Sequence, residues 1–467
     1  MTEPACAVPG TLAFANLSLH PATLATLSQL GWQQMTAVQS ATLPAALAGH
    51  DLLVQSPTGS GKTAAFALTL LERLNPRRFA VQALVLCPTR ELADQVASEI
   101  RRLARGLDNV KVLTLCGGVA VRGQVTSLAH GAHIVVGTPG RVRDLLAREA
   151  LKLDALTLWV LDEADRMLDM GFLPDIQALA HWIPAPRQTL LWSATYPDGV
   201  AQLAQQFMHA PQHICITAPA ARPVIEQHHY AIDPAQRAAA VVQLLQHFRP
   251  ARTLAFCNTR QACNALVEAL RQQGLSALAL HGDLPQRERD QVLALFAGDC
   301  LSVLVATDVA ARGIDIESLQ AVINVELSPD PLVHTHRIGR TARAGKSGLA
   351  LNLASPRERE IWDRAHPAQA QAVQWEALPE GVATDHPPLQ PARVMLQILA
   401  GRKDKLRPAD VLGALTAGAV CQRDQIGKIT VTEFTTLVAV QRDAALLALQ
   451  QLQDGTVKGR SVKARLL

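Results

Sequence analysis

The sequence predicts an α/β chain in which two parallel-sheet domains stand in tandem ahead of a small C-terminal α+β domain. Three observations carry that expectation. Short aliphatic runs alternate with amphipathic stretches over most of the chain, as buried parallel strands alternate with covering helices. Two proline-bearing segments, TAPAARP at 217–223 and the stretch 379–391, interrupt the alternation and read as linkers. Beyond the second, the order of elements changes to βαββαβ. The expected domains are 1–217, 224–378 and 394–467, with a linker at 379–393, and a chain of 467 residues is too long for a single core.

In chain order, Pro21 to Leu30 reads as a helix and Ser40 to Leu47 as a second. DLLVQ, ALVLC, VKVLTL, HIVVG, TLWVL and TLLWS are the first domain's strands, separated by helices such as Ala64 to Leu74 and Glu91 to Leu103. TLAFCNT, SALALHG, LSVLVATD, AVINVEL and LALNLAS supply the second domain. The last domain reads as strand VMLQILA, helix ADVLGALTA, strands IGKITV and TTLVAV, a helix from Arg442 to Leu452 and a closing strand VKARLL.

Hydrophobic residues at 49% and charged residues at 18% exclude bulk disorder. No apolar run approaches a membrane span, and MTEPACAVPG lacks the features of a signal peptide, so a soluble, cytoplasmic protein is expected, with no membrane partner. Eight cysteines without a CxxC pair, several inside apolar runs, read as reduced core thiols rather than zinc ligands or disulfides. The net charge is +4, yet residues 394–467 hold 11 Lys+Arg against 6 Asp+Glu, so the basic excess sits in the tail. A basic module behind a near-neutral body suits a polyanion, although an ordinary solvated surface would look the same.

SPTGSGKT, Ser56 to Thr63, lies between a strand and a helix. Gly59 and Gly61 let backbone N–H groups wrap phosphate oxygens, with Ser56, Thr58 and Ser60 completing the loop. Lys62 neutralises the β- and γ-phosphates, and Thr63 holds Mg²⁺. The cofactors expected are therefore ATP and Mg²⁺. VLDEADRMLD, Val160 to Asp169, is an aliphatic run ending in carboxylates. Alone it fits either a metal-and-water site or a strand exit that caps the next helix. With a P-loop upstream, Asp162 fits the metal ligand and Glu163 the base that positions the attacking water.

DEAD at 162–165, the P-loop and SAT at 193–195 together resemble the DEAD-box RNA helicases. The likeness runs over about residues 14–375 and implies two RecA-like domains that close on ATP and RNA together. GWQQMTAVQ resembles the adenine-reading Q motif, with Gln39 contacting the purine edge and Trp32 stacking on it; Met35 and Ala37 stand where the family has prolines. Phe14 matches the family's isolated upstream aromatic. By the same resemblance Pro88, Thr89, Arg90, Gly118, Thr138, Gly140, Arg141, Gly282 and Thr307 contact RNA, and Asp315 reaches the ATP ribose. HRIGRTAR implies arginine fingers at Arg340 and Arg343, whose spacing of three suggests adjacent helical faces, and His336 would link Asp165 to Ser193 and Thr195.

The order βαββαβ suits an RNA-recognition module, and GRKDKLRPADVLGAL together with the closing run from Gly455 resembles the C-terminal domain of the DbpA group of bacterial DEAD-box proteins. That likeness implies a 23S ribosomal RNA hairpin and pre-50S particles as partners. TTLVAV carries no aromatic and Phe434 stands alone at its edge, so binding is expected from Arg402, Lys403, Lys405, Lys428, Lys458 and Arg460. A packing or dimerisation domain with a solvated basic surface is the other reading. The leading expectation is a monomeric, ATP-dependent RNA helicase acting on ribosomal RNA. An RNA clamp without unwinding and a DNA-directed helicase are its alternatives, with no DNA partner expected under the first.

Overall fold

The computed structural model describes residues 12–57, 59–216, 225–311, 319–342, 347–365, 373–379, 389–417 and 421–467. They build three sheets. The first is parallel, with strands β1 (Leu52–Gln55), β2 (Ala83–Leu86), β3 (Val112–Leu115), β4 (Ile134–Gly137), β5 (Leu158–Leu161), β6 (Gln188–Ser193) and β7 (Gln212–Cys215) in the order β3-β4-β2-β5-β6-β1-β7. The second is also parallel, with β8 (Ile225–Ala231), β9 (Thr253–Phe256), β10 (Ala277–Leu280), β11 (Val303–Ala306), β12 (Ala321–Asn324), β13 (Gly348–Ala354) and β14 (Trp375–Glu376) in the order β10-β11-β9-β12-β13-β8-β14. Counted from its own first strand, each sheet follows the same path. The chain therefore repeats one doubly wound architecture.

Central strands such as ALVL, LWVL and VLVA are buried along their whole length because helices cover both faces of the sheet. Apolar runs therefore predicted them well. Three strands lack that signal. QHIC (β7) and WE (β14) lie at sheet edges, and IEQHHYA (β8) carries two histidines, so none reads as an aliphatic run. The second helix starts at Ala37 rather than Ser40, because Thr36 and Gln39 form a capping box that nucleates it earlier. The last helix runs Ala445–Asp454, three residues later than expected.

The C-terminal sheet is antiparallel, with β15 (Arg393–Ile398), β16 (Ile426–Val431), β17 (Thr436–Gln441) and β18 (Ala464–Leu466) in the order β16-β17-β15-β18. Helices Pro408–Thr416 and Ala445–Asp454 complete the βαββαβ order. One sheet face, with Leu396, Ile398, Val438 and Val440, is covered by these helices. Its opposite face, with Met395, Leu437 and Ala439, packs on Ala294, Leu295 and Cys300 of the preceding α/β layer. Asp299 ties the two together by pairing with Arg252 at 3.0 Å and Arg393 at 3.3 Å. Among the described residues, the seven cysteines are free thiols and no helix is long and apolar enough to cross a membrane.

Candidate active site and nucleic-acid interface

Strand order sorts the motifs along the carboxyl edge of the first sheet. SPTGSGKT follows β1, DEAD follows β5 and SAT ends β6, and these three strands are adjacent. PTR follows β2, Gly117-Gly118 follow β3 and TPGR follows β4, three strands on the other side of β5. The motifs expected to bind phosphate and those expected to contact RNA thus occupy neighbouring halves of one edge, the usual place for ligands in such sheets.

In the P-loop, Gly59 and Gly61 have φ of 78° and 93°, a region that favours glycine. A Cβ at Gly61 would also meet Gln39 Nε2 at 2.8 Å. Gln39 is buried; its amide oxygen accepts from Thr36 N at 2.9 Å and its NH₂ donates to Gly61 O at 3.1 Å. One N–H and one lone pair of that amide remain for another partner. Ser56 N donates to Ser193 O at 3.0 Å, which ties the loop to β6. Ser60 lies within the loop, and Lys62 and Thr63 open the helix Lys62–Arg73. Thr58 lies outside the described residues. Trp32 is half-buried, with the Arg102 guanidinium 4.9 Å over its ring, and Phe14 is packed into the core.

Lys62 Nζ and Asp162 Oδ1 face each other at 3.8 Å, and neither Lys62 Nζ nor either Asp162 oxygen has a hydrogen-bond partner. Asp162 is 1% exposed. Burial pushes its pKa up to about 6, against the pull of Lys62 and with the push of Glu163. Glu163 leaves the strand with φ of 53° and ψ of 53°, a left-handed conformation that turns its side chain out of line with β5. Its carboxylate pairs with Arg166 at 2.8 Å, both side chains being buried. Asp165 Oδ2 accepts from Ala194 N at 3.1 Å, Thr195 N at 2.9 Å and Thr195 Oγ1 at 2.8 Å, and Ser193 Oγ donates to Thr195 O. The last letter of DEAD thus grips the SAT turn.

On the other half of the edge, Thr89 caps the helix Arg90–Leu103, Arg90 pairs with Asp94 and Pro88 precedes them. Arg141 Nη1 donates to Val119 O at 3.1 Å and Gln124 Oε1 at 2.9 Å, which locks the Gly117-Gly118 turn to the turn of Thr138 and Gly140.

The second sheet repeats the sorting. Gly282 follows β10, Thr307 follows β11 and Asn258 follows β9. The helix after β12 runs Pro331–Ile338, so it carries His336 but ends before Arg340. This corrects the expectation of helical arginine spacing: Arg340 lies in a turn, because Thr341 bridges to Leu319 and pulls the chain extended. Arg340 is buried, and Arg343 and Asp315 lie outside the described residues.

Arg337, which sequence reading passed over, is 2% exposed and places all five of its N–H groups. They reach Asp308 at 2.6 and 2.7 Å, Asn324 Oδ1 at 3.2 Å, Glu326 O at 2.6 Å and Asn258 Oδ1 at 2.8 Å. Segments at the ends of β9, β11 and β12 thus meet at this one guanidinium.

In the C-terminal domain Arg402, Lys403 and Lys405 are exposed on one turn. Lys403 Nζ sits 4.2 Å over the ring of Phe434, which is 59% exposed, and Lys458 Nζ donates to Lys405 O at 2.8 Å.

Residues 36–203 match the DEAD/DEAH box helicase family, 236–345 the helicase conserved C-terminal domain and 395–466 the DbpA RNA binding domain. The chain is 49% identical to the ATP-dependent RNA helicase DbpA of Escherichia coli over 97% of its own length and 99% of the relative's. The chain belongs to the DEAD-box ATP-dependent RNA helicases of the DbpA type. It is also 40% identical to the DEAD-box ATP-dependent RNA helicase CshA of Geobacillus kaustophilus over 74% of each chain. Among solved structures it resembles Saccharomyces cerevisiae Dbp5 bound to RNA and ADP BeF3, with a TM-score of 0.70 and 28% identity over 79% of this chain and 95% of that one. The two parallel sheets are therefore RecA-like domains.

A helicase of this family is an RNA-stimulated ATPase that uses ATP with Mg²⁺. The residues present fit that pair of ligands: a buried lysine and a buried aspartate, whose charged atoms lack hydrogen-bond partners, stand at a loop in which Gly59 and Gly61 take the positive φ that phosphate-wrapping backbone requires. Asp162 also carries a testable cost. Its folded pKa lies above the ordinary carboxylate value, so the penalty for its charge is absent below about pH 4 and complete once pH has risen through about 6. Asp162→Asn is expected to raise the melting temperature of the nucleotide-free protein by about 5 °C at pH 8 and by nothing near pH 4. A gain of equal size at both pH values would contradict the assignment.

Proposed function

We propose that this helicase locally separates RNA duplexes in 23S ribosomal RNA, acting in the cytoplasm as a monomer during assembly of the large ribosomal subunit. Its first RecA-like domain holds Mg²⁺ through Thr63 and Asp162 and the triphosphate through the P-loop and Lys62. Gln39 and Trp32 receive the adenine, Glu163 orients the attacking water, and Asp315 receives the ribose. Arg340 and Arg343, supplied by the second domain, neutralise charge on the γ-phosphate, while His336 couples to Asp165 and the SAT turn. Mg²⁺ supplies charge neutralisation on the transferring phosphoryl group. Because Lys62 and the arginines belong to different domains, hydrolysis needs closure, and ATP and RNA must bind cooperatively if both favour the closed state.

The observation that carries the ribosomal reading is the C-terminal domain. The sheet face on which RNA-recognition modules stack bases is apolar and covered by Ala294, Leu295 and Cys300, whereas Arg402, Lys403, Lys405 and Phe434 are exposed together. The match to the DbpA RNA binding domain spans that same segment. Recognition then runs through basic side chains and one aromatic at the rim. Replacing Arg402, Lys403 and Lys405 by alanine is expected to lower the preference for a 23S ribosomal RNA fragment over random RNA of equal length by roughly tenfold or more. RNA-stimulated ATP hydrolysis measures it; an unchanged preference would refute the proposal.

A further inference from the structure

The interior of a parallel sheet is ordinarily apolar. One rung of the second sheet is not. Reading across the register, Phe256 of β9 lies beside Asn324 of β12, Asn324 beside Asn352 of β13, Asn352 beside His229 of β8, and His229 beside Trp375 of β14. Asn324 and Asn352 are 0% exposed and His229 is 5% exposed. Buried amides are costly unless paired, and these pair with one another. Arg337 Nη1 donates to Asn324 Oδ1 at 3.2 Å, Asn324 Nδ2 to Asn352 Oδ1 at 2.7 Å, and Asn352 Nδ2 to His229 Nε2 at 3.4 Å and His228 O at 3.2 Å.

The polarity of the whole ladder is dictated from one end. A guanidinium only donates, so Asn324 must present its oxygen to Arg337 and its NH₂ to Asn352. Asn352 must in turn present its oxygen to Asn324 and its NH₂ to His229, whose Nε2 must be an acceptor. Burial, which holds the His229 pKa down at about 4, keeps that ring neutral. At the far end, the His229 ring stands edge-on to Trp375 at 5.5 Å, and His228 binds Glu376 at 3.1 Å, which anchors the edge strand. If the ladder were broken at Asn352, the NH₂ of Asn324 would lose its acceptor and the single bond from Arg337 would alone hold the amide in place.

We propose that Asn324, Asn352 and His229 are positioning residues for ATP hydrolysis: they fix the guanidinium of Arg337, and through it the helix Pro331–Ile338 that carries His336 and leads into Arg340. Apolar side chains would bury as well, but one at 324 would take away one of the five acceptors of Arg337, and one at 352 would leave the NH₂ of Asn324 without its acceptor. The inference rests on the reading that Arg340 acts on the nucleotide phosphate.

The test uses the full-length protein at saturating RNA, with kcat and KM for ATP measured for Asn352→Leu, His229→Leu and His229→Gln, beside Arg340→Ala. Asn352→Leu and His229→Leu are expected to lower kcat about fivefold with KM for ATP changed less than about twofold. Gln at 229 keeps an acceptor and is expected to recover most of the loss. Wild-type kcat in both leucine variants, whatever their melting temperatures, overturns the proposal. Equal losses in His229→Leu and His229→Gln assign the effect to packing and overturn it too, a contrast that decides even if Asn352→Leu does not fold. Wild-type hydrolysis in Arg340→Ala instead removes the reading of Arg340 on which the proposal rests, whereas loss there with intact ladder variants rejects the ladder alone.

Discussion

Lys62→Ala is expected to lower RNA-stimulated ATP hydrolysis by roughly a thousandfold and to abolish duplex separation. Two losses coincide in that variant. The Lys62 ammonium is buried 3.8 Å from Asp162 and without a hydrogen-bond partner, so its N–H groups are left for a phosphate. It is also the cation that draws the Asp162 pKa downward against burial. Without it Asp162 holds its proton more firmly and is a poorer ligand for Mg²⁺ at neutral pH. Single-turnover hydrolysis with saturating RNA measures the first loss, and binding of a fluorescent ATP analogue across pH measures the second. Turnover comparable to that of the unsubstituted protein would remove Lys62 from the site.

Glu163→Gln is expected to leave ATP binding intact, lower hydrolysis roughly a hundredfold and prolong the ATP-dependent retention of RNA. The amide keeps the size of the side chain and its hydrogen-bonding reach but cannot accept a proton from water. One further consequence follows from a contact: Arg166 loses its charged partner at 2.8 Å in a buried place, so the variant should also melt lower. Retention on RNA separates the two effects, because a merely destabilised protein releases RNA faster. Rapid release together with wild-type turnover would end the assignment of Glu163 to the water.

Motifs that depend on local chain geometry were legible in the sequence. SPTGSGKT needs glycines at φ above zero just before a helix, and both glycines have them. Buried parallel strands such as ALVL and LWVL read as aliphatic runs because both their faces are covered. Polar or peripheral strands did not: HHYA within β8 and WE in β14 owe their strand state to a neighbour rather than to their own residues. The arginines of HRIGRTAR looked helical by spacing, but the helix stops at Ile338 because Thr341 answers to Leu319, a residue distant in sequence.

The tandem parallel sheets, the P-loop and the DEAD-box resemblance were readable from spacing and strand patterning, because each rests on residues within one loop or one strand period. Which buried charges are paired follows from how the elements come together in space. The pairing of Glu163 with Arg166, the five bonds of Arg337 and the covering of the C-terminal sheet face could not be read from spacing. AVINVEL and LALNLAS each hold a single asparagine among aliphatic residues, a local oddity without a stated partner. Register between β12, β13 and β8 sets those asparagines and His229 on one rung, and hydrogen bonding then fixes their orientation from Arg337 outward. Register is a property of strands brought together in folding, and no single stretch of the chain contains it.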